Sequence, residues 1–190
     1  QTYANFEVCV VSELAQAGLT DYEGIPKFRL VLFDGTAHEQ LKAAEKMLNG
    51  AYFLQLLPGD LPAPDALHML VLQTHSNPEA EVVFADEDSV IDGIRQNPIF
   101  KPDYGRDTLR SFNSIGRPML VSKRVHTAVG GFRGSTPAEL WAYCIDCASA
   151  AKQVIHIARI GLTVIRDCDG SEIPCTDILK REFNSLYPGD

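Results

Sequence analysis

The sequence lacks the features that mark several classes of protein. No apolar run approaches the roughly 20 residues that a membrane-spanning helix needs, and the first residues lack the basic start and apolar middle of a signal peptide. We therefore expect a cytoplasmic protein without a transmembrane segment, at most peripheral to a membrane. An excess of basic residues is also missing, since the formal net charge is -8. That charge argues against nucleic-acid binding, which requires a basic face.

Cysteines are few, and their number is odd. The five cysteines are Cys9, Cys144, Cys147, Cys168 and Cys175. An odd, scattered set does not make a disulfide framework and favours a reducing compartment. Cys144 and Cys147 form a C-x-x-C pair, which is typical of redox sites or of half a zinc site. The alternative is two core thiols on one helix, and the apolar neighbours Trp141 and Ile145 favour it.

The residues that are present predict one α/β domain. Of the 190 residues, 45% are apolar and 22% are charged, as in a chain with a single core. A strand at 28–33, a helix at 36–48 and a strand at 51–57 follow one another, an order typical of a sheet with crossover helices. Further patterns predict a helix at 65–73, a strand at 82–85, a strand at 118–122, a helix at 137–151 and a strand at 154–157. Residues 96–117 are expected to form a long loop with one helical turn near Leu109.

Acidic residues follow two of the predicted strands. The loop 58–64 contains Asp60, and the cluster Asp86, Glu87 and Asp88 follows the strand at 82–85. Loops at the carboxyl ends of parallel strands are where α/β proteins bind ligands. These two loops therefore become the candidate site.

Several short motifs occur in an order that composition does not explain. They are Q-T-Y-A-N-F-E at 1–7, N-G-A-Y-F at 49–53, P-D-A-L at 64–67, V-V-F-A-D-E-D at 82–88, P-I-F-K-P-D-Y at 98–104, V-G-G-F-R at 129–133 and I-H-I at 155–157. In this order the motifs resemble the inverting family 2 glycosyltransferases, whose fold is called GT-A. The resemblance covers most of the chain.

The resemblance implies an α/β fold with a Rossmann-like mixed sheet flanked by helices. It also implies that the usual first strand is absent, because the 1–7 motif resembles the entry to the second strand. The missing strand would lie upstream of Gln1 or have been lost. We expect a single domain over 1–190, with a nucleotide-binding half at 1–95, an acceptor-side half at 96–166 and a C-terminal tail at 167–190.

The resemblance further implies transfer of a sugar, with inversion, from a nucleotide-diphosphate donor to a hydroxyl of a glycan or lipid-linked acceptor. Such a reaction serves surface polysaccharide or glycan synthesis. The leaving diphosphate needs a divalent cation such as Mn²⁺ or Mg²⁺ on carboxylates, or a substitute cation. A carboxylate base must also take the proton of the acceptor.

The acidic metal motif of the family is only partly present. Its D-x-D pattern, followed by a further Asp, falls on Leu57, Gly59 and Asp60, so a single carboxylate remains. Asp60 is the candidate ligand for a metal or for the ribose. The alternative is an Asp that forms a turn or caps the next helix.

The catalytic base is similarly displaced. The base position of the family falls on Pro137, and Glu139 is the candidate base if the gap shifts. The alternative is that Glu139 is a first-turn residue favoured by the helix dipole. A histidine that ligates the metal in many relatives is replaced here, where Val164-Ile165-Arg166 stands.

The other candidate residues lie on both sides of the predicted site. Asp34, Asp86 and Asp88 are expected to bind the nucleotide-sugar, although Asp34-Gly35 alternatively forms only a turn. Where many relatives have D-D-x-S, residues 12–15 read S-E-L-A. On the acceptor or phosphate side the candidates are Lys101, Arg106 and Arg110, with ordinary surface charge as the alternative. Among the histidines, His156 is expected to be structural, and the others to be surface residues without partners.

Two main functions remain open from the sequence. The chain is an active transferase that uses its altered carboxylates, or it keeps the fold as a binding or assembly module, alone or beside other domains of a longer polypeptide. An enzyme that uses Cys144 and Cys147 is a third alternative, but no basic neighbour in the sequence would activate either thiol.

Overall fold

The computed structural model describes residues 1–12 and 27–166, in which strands and helices alternate. The strands are β1 (Val8–Ser12), β2 (Phe28–Leu32), β3 (Tyr52–Leu54), β4 (Asp60–Pro62), β5 (Ala80–Ile91), β6 (Ile94–Ile99), β7 (Met119–Ser122) and β8 (Gln153–Arg166). The helices are α1 (Ala37–Glu45), α2 (Ala66–Ser76), α3 (Arg106–Ser111), α4 (Lys123–Ala128) and α5 (Pro137–Ala150). Every helix and strand predicted by position over these residues is present. The tail at 167–190, with Cys168 and Cys175, and residues 13–15 of the S-E-L-A segment lie outside the described residues.

The main sheet is mixed. Its strand order is β3-β7-β5-β8-β4, and β6 pairs with β5 as a hairpin. β5 and β8 are parallel over most of their length, whereas the remaining pairs are antiparallel. Strands β5 and β8 therefore form the centre of the sheet, and the acidic residues Asp86, Glu87 and Asp88 lie on β5.

β1 and β2 form a separate parallel sheet of two strands. Within the described ranges, neither of them pairs with β3. The Glu7 carboxylate, just before β1, accepts a 2.6 Å hydrogen bond from the Asn49 N–H, just before β3, and so joins the two sheets at one end.

Helices cover both faces of β5. Val82 and Phe84 pack in one core cluster with residues of α5, including Tyr143, whereas Val83 and Ala85 pack in a second cluster with α2. Successive residues of a strand point to opposite faces, so one apolar run can serve both layers. The division into halves at 1–95 and 96–166 stays a prediction.

The expected loop at 96–117 was wrong in part, because residues 94–99 form β6. The hairpin turns at Asp92 and Gly93, whose φ angles are 52° and 76°, the conformation that Asp-Gly favours in tight hairpins. Pro98 is tolerated because β6 is an edge strand, where one N–H is not needed for pairing. Two further loop predictions were wrong: residues 60–62 form β4, and the acidic cluster at 86–88 continues β5 as far as Ile91.

Two helices begin with the same capping arrangement. At the start of α5, Thr136 Oγ1 accepts from the Glu139 N–H, and the Glu139 carboxylate accepts from the Thr136 N–H. At the start of α1, Thr36 and Glu39 make the same reciprocal pair. Each box satisfies backbone donors that a helix leaves unpaired in its first turn.

Candidate functional site

Asp86 lies in the interior of the acidic end of the sheet, with 2% of its surface exposed. Its Oδ1 accepts from the backbone N–H of Lys101 at 2.9 Å and lies 2.8 Å from His156 Nε2. The other ring nitrogen of His156 lies 3.2 Å from the Asp103 carboxylate, and the ring stacks on Phe84. These contacts agree with the structural role expected of His156.

The ammonium group of Lys101 is directed into the protein. Its Nζ donates to the backbone oxygens of Ala85 at 2.8 Å and Arg117 at 2.5 Å, and it pairs with the Glu87 carboxylate at 3.0 Å. Only 4% of the side chain is exposed. Burial lowers the pKa of Lys101, while the neighbouring Glu87 acts in the opposite direction. The predicted contact of Lys101 with a phosphate stays a prediction, but the hydrogen-bonding capacity of this ammonium is already used.

Asp88 and Asp60 also have cationic partners. Asp88 accepts from Arg95 at 2.8 Å. The Asp60 Oδ2 lies 3.0 Å from the Nε of Arg117, and the two side chains are 0% and 12% exposed. Because Asp60 and Ser89 both face Val164 of β8 from its two neighbouring strands, Asp60 and Asp88 lie on opposite sides of that strand.

The structure therefore places the predicted acidic residues on β4 and β5, the two strands that flank β8, each with a partner of its own. We call this group the paired acidic cluster, and its members are Asp60, Asp86, Glu87 and Asp88. The partners are Arg117, His156, Lys101 and Arg95, in the same order. Each of these carboxylates therefore has a basic partner within the protein, as buried charges generally require.

The residues around Asp60 do not fit a divalent cation. Leu57 and Gly59, at the other positions of the expected metal motif, have no side-chain oxygen. The Asp60 carboxylate accepts from the Leu57 N–H at 2.8 Å, and the Asp60 N–H donates to the Leu57 oxygen at 3.0 Å, so Asp60 closes a turn. Mn²⁺ and Mg²⁺ require several oxygen ligands. Over the residues described, no group of His, Cys, Asp or Glu side chains is arranged to hold a metal.

Glu139 lies at an open surface depression of about 390 Å³, at the start of α5. The depression is lined by His38, Arg133, Ala138, Glu139 and Ala142. The Glu139 carboxylate accepts from Thr136 Oγ1 at 2.7 Å and from the Thr136 N–H at 3.0 Å. These two hydrogen bonds hold the pKa of Glu139 below its usual value. Its role in capping is thus visible, and its role as a base stays a prediction.

The starts of α1 and α5 meet at this depression. His38 Nδ1 lies 2.9 Å from the backbone oxygen of Arg133, which joins α1 to the loop before α5. Asp34 is exposed and precedes the first turn of α1. Asp34 therefore precedes the helix whose His38 lines the depression, and it is not itself a lining residue.

Little space remains between the end of β3 and the side of α5. A cavity of about 20 Å³ lies there, lined by Gln55, Gly116, Arg117, Met119, Leu140, Tyr143 and Cys144. This volume is enough for about one water molecule. The Gln55 amide donates to the Gly134 oxygen at 2.8 Å and crosses the space between β3 and the loop before α5. A sugar bound between these elements would require them to move apart.

Arg106 and Arg110 lie on the exposed side of α3. The buried Leu109 fixes this helix, and its backbone oxygen accepts a 2.6 Å hydrogen bond from Trp141 Nε1 of α5. Both guanidinium groups are accessible, unlike the ammonium of Lys101. Their predicted contact with phosphate stays a prediction.

Sequence reasoning missed a second polar network behind the V-G-G-F-R loop. His126 was expected at the surface but is 4% exposed, so that expectation was wrong. Its ring stacks on Phe53, and its nitrogens lie 2.6 Å from the Tyr143 hydroxyl and 3.3 Å from Glu45. Glu45 also accepts from the Phe132 N–H at 2.6 Å, which fixes the loop to α1. No sequence motif joins residues 45, 126 and 132, so only the fold identifies this network.

Cys144 and Cys147 are buried on α5 and both are free thiols. Burial raises the pKa of each thiol to about 12. A thiol with a raised pKa is a poor nucleophile and metal ligand near neutral pH. Cys144 and Cys147 are therefore two core thiols on one helix, which is the alternative that the neighbouring apolar residues favoured.

Two longer proteins are similar in sequence to this chain. No protein-family model matches the chain. It is 30% identical over 173 residues to the uncharacterized protein y4gI of Sinorhizobium fredii, covering 84% of this chain and 19% of that protein. It is 35% identical over 102 residues to the O-antigen biosynthesis protein RfbC of Myxococcus xanthus, covering 53% of this chain and 8% of RfbC. The chain thus spans less than a fifth of the length of either relative.

Among solved structures, TarS 1-349 of S. aureus superposes with a TM-score of 0.67, covering 84% of this chain and 51% of TarS, at 15% identity. The chain has a GT-A glycosyltransferase fold. This confirms the predicted fold class. At 15% identity the likeness of this GT-A domain to TarS extends to the fold alone, and the family 2 assignment stays a prediction. In the part of the domain that the structure describes, no helix is both long and apolar enough to cross a bilayer.

Proposed function

We propose that this GT-A domain serves glycan synthesis as an inverting family 2 glycosyltransferase, which passes a sugar from a nucleotide-diphosphate donor to a hydroxyl of a glycan or lipid-linked acceptor. The observation that carries the proposal is the 35% identity to the O-antigen biosynthesis protein RfbC over 102 residues. The fold supports it, since GT-A folds are built to bind nucleotide-sugars.

In this proposal Glu139 is the base. The acceptor oxygen attacks the anomeric carbon of the donor, and its proton passes to the Glu139 carboxylate. The bond from that carbon to the diphosphate breaks, and the nucleoside diphosphate leaves with the electron pair. Glu139 lies at the open depression, where an acceptor can approach it, and Arg133, which pairs with Asp146, also lines it. Because the capping hydrogen bonds lower the pKa of Glu139, the cap must loosen for this carboxylate to act as an effective base.

The competing candidate is a domain that keeps the GT-A fold as a binding or assembly module. One observation favours it, namely that Asp60, Glu87 and Asp88 each have a cationic partner within the protein and that Asp86 is paired with His156. A module of this kind needs the fold and the pairs but no free carboxylate.

Two matched substitutions separate the candidates. Glu139→Gln and Glu39→Gln both change the Glu of a capping box, and Gln can also fill this position. An active transferase should lose turnover of a nucleotide-sugar, measured as release of nucleoside diphosphate, only with Glu139→Gln. The two thermal midpoints should fall by similar small amounts.

A panel of uridine and other nucleotide diphosphates, titrated calorimetrically with and without Mn²⁺, tests donor binding directly. Saturable binding supports the transferase and justifies assays with nucleotide-sugars. Equal turnover in wild type and Glu139→Gln would remove Glu139 from the mechanism. Absence of both binding and turnover would leave the binding or assembly module as the function.

A further inference from the structure

We propose that the guanidinium of Arg117 is the resident cation of the loop that contains Asp60, and that this domain takes a nucleotide diphosphate without a divalent metal. The inference deepens the proposed function and rests on it for the nucleotide. The part that concerns the metal rests only on the contacts around Asp60.

The Oδ2 oxygen of Asp60 makes two contacts within the protein. It accepts from the Leu57 N–H within its own turn and pairs with Arg117 Nε at 3.0 Å. No exposed edge of the Asp60 side chain remains, since that side chain is 0% exposed. The next carboxylate of the cluster, Asp88, belongs to the other side of β8 and pairs with Arg95. A metal at Asp60 would therefore find one carboxylate, and that carboxylate is shared with a fixed positive charge.

Arg117 is held rigidly in this position. Its backbone oxygen accepts from the Lys101 ammonium, and the oxygen of the following Pro118 accepts from the Ala85 N–H. Its side chain is 12% exposed and lines the small cavity between β3 and α5. A guanidinium remains charged at every accessible pH. Any divalent cation that approached Asp60 would meet this charge at close range and in partly buried surroundings, where repulsion is weakly screened.

The cavity beside Arg117 also places the guanidinium near the end of β3. Gln55 and Leu140 line this cavity together with Arg117. If these elements separate to admit a donor, Arg117 is the cation that the opened space exposes. Guanidinium groups bind phosphate oxygens through paired N–H donors, so Arg117 offers the positive charge that a diphosphate leaving group needs.

The metal part is tested by titrating Mn²⁺ into wild-type protein and the Asp60→Asn variant, with free Mn²⁺ counted by electron paramagnetic resonance. We expect the two isotherms to coincide, and the thermal midpoint of the wild type to be the same in Mn²⁺ and in a chelator. Saturable Mn²⁺ binding to the wild type that Asp60→Asn abolishes would overturn the inference.

A stability cycle tests the ion pair. Arg117→Gln should lower the thermal midpoint strongly, because it removes the guanidinium 3.0 Å from the buried Asp60 carboxylate. The double variant Asp60→Asn and Arg117→Gln should recover much of that loss of thermal midpoint. If Arg117→Gln alone does not fold, a folded double variant is the result that supports the pairing. Arg159→Gln, which removes a guanidinium that is 61% exposed and pairs with the partly exposed Asp65, is the matched control and should have a small effect. A double variant as unstable as the sum of the single variants would contradict the pairing.

Uridine diphosphate is the probe for the nucleotide part. Binding should have the same affinity in chelator and in Mn²⁺, and a gain of about tenfold or more in Mn²⁺ would overturn the inference. Absence of binding under both conditions counts against the proposed function, whereas the Mn²⁺ isotherms and the stability cycle still decide the role of Arg117.

Discussion

Replacing Lys101 by Met tests whether this lysine is a buried structural cation or a ligand for phosphate. The substitution keeps the apolar stem and removes the ammonium. Glu87 then loses the cation 3.0 Å away, and the backbone oxygens of Ala85 and Arg117 lose a donor. Removing one partner of a buried charge pair typically costs about 3–5 kcal/mol, because the remaining charge is buried and uncompensated.

The expected shift in denaturant follows from that cost. With a urea dependence of about 2 kcal/mol per molar, a loss of about 3–5 kcal/mol lowers the urea midpoint by about 1.5–2.5 M. Since native domains are stable by only about 5–15 kcal/mol, the variant should lie close to the threshold of folding. The assay is urea unfolding followed by tryptophan fluorescence, because Trp141 contacts α3 next to this region.

Arg110→Gln is the matched control, since it removes an exposed cation that was predicted for the same phosphate site. Surface substitutions usually change stability by less than about 0.5 kcal/mol, so the urea midpoint should hardly move. The double variant Glu87→Gln and Lys101→Met should be less destabilised than the sum of its single variants, because both charges are then removed together. If Lys101→Met folds with nearly wild-type stability and instead loses affinity for uridine diphosphate, the structural assignment of Lys101 is refuted.

The remaining predictions concern the V-G-G-F-R loop and the thiols of α5. Gly130 and Gly131 both have φ angles above 80°, so alanine at either position should cost about 1–2 kcal/mol in urea unfolding. Gly131→Ala should cost more, because the added Cβ would collide with Lys42 and Glu45. The Cβ added by Gly130→Ala meets no atom within 4 Å, so this variant is the control. Equal losses of stability would mean that the side chains of α1 move away from the loop at no cost. With iodoacetamide near pH 8 and peptide mapping, the half-buried Cys9 should be alkylated well before Cys144 and Cys147, whose pKa values burial raises to about 12. Alkylation of either α5 thiol as fast as Cys9 would support the alternative of an enzyme that uses Cys144 and Cys147.

The order and type of the secondary structure could be predicted because local signals agree with the fold. Helices α1 and α5 begin at Thr-x-x-Glu boxes, and β5 combines branched and aromatic residues over a short run. The β6 hairpin was missed although Asp92-Gly93 is a strong turn signal. The reason is that the polar and proline-containing run at 94–99 resembles a loop, and its exposure on an edge strand removes the apolar alternation that identifies buried strands.

The candidate site could be predicted only as a set of residue types. Asp60 on β4 and Asp86 and Asp88 on β5 do lie on the two strands that flank β8, but the expectation that they stand in loops at strand ends was wrong. Their partners did not follow, because Asp60 and Arg117, or Asp86 and His156, are far apart in the sequence and meet only through the sheet. A carboxylate motif does not reveal whether its charge faces a ligand or a guanidinium.

That distinction separates the two regions of this GT-A domain. In the paired acidic cluster, burial and ion pairing favour stability over reactivity. Freeing a carboxylate there would break an ion pair inside the protein and leave a buried cation, such as Lys101, without its carboxylate. At the start of α5 the constraint is weaker, since Glu139 is held by a threonine side chain and one backbone N–H at an open depression. Opening a cap requires only the first turn of a helix to rearrange, whereas opening the cluster requires the sheet to lose its ion pairs. In the proposed transferase, the base therefore belongs to the depression between α1 and α5 rather than to the paired acidic cluster.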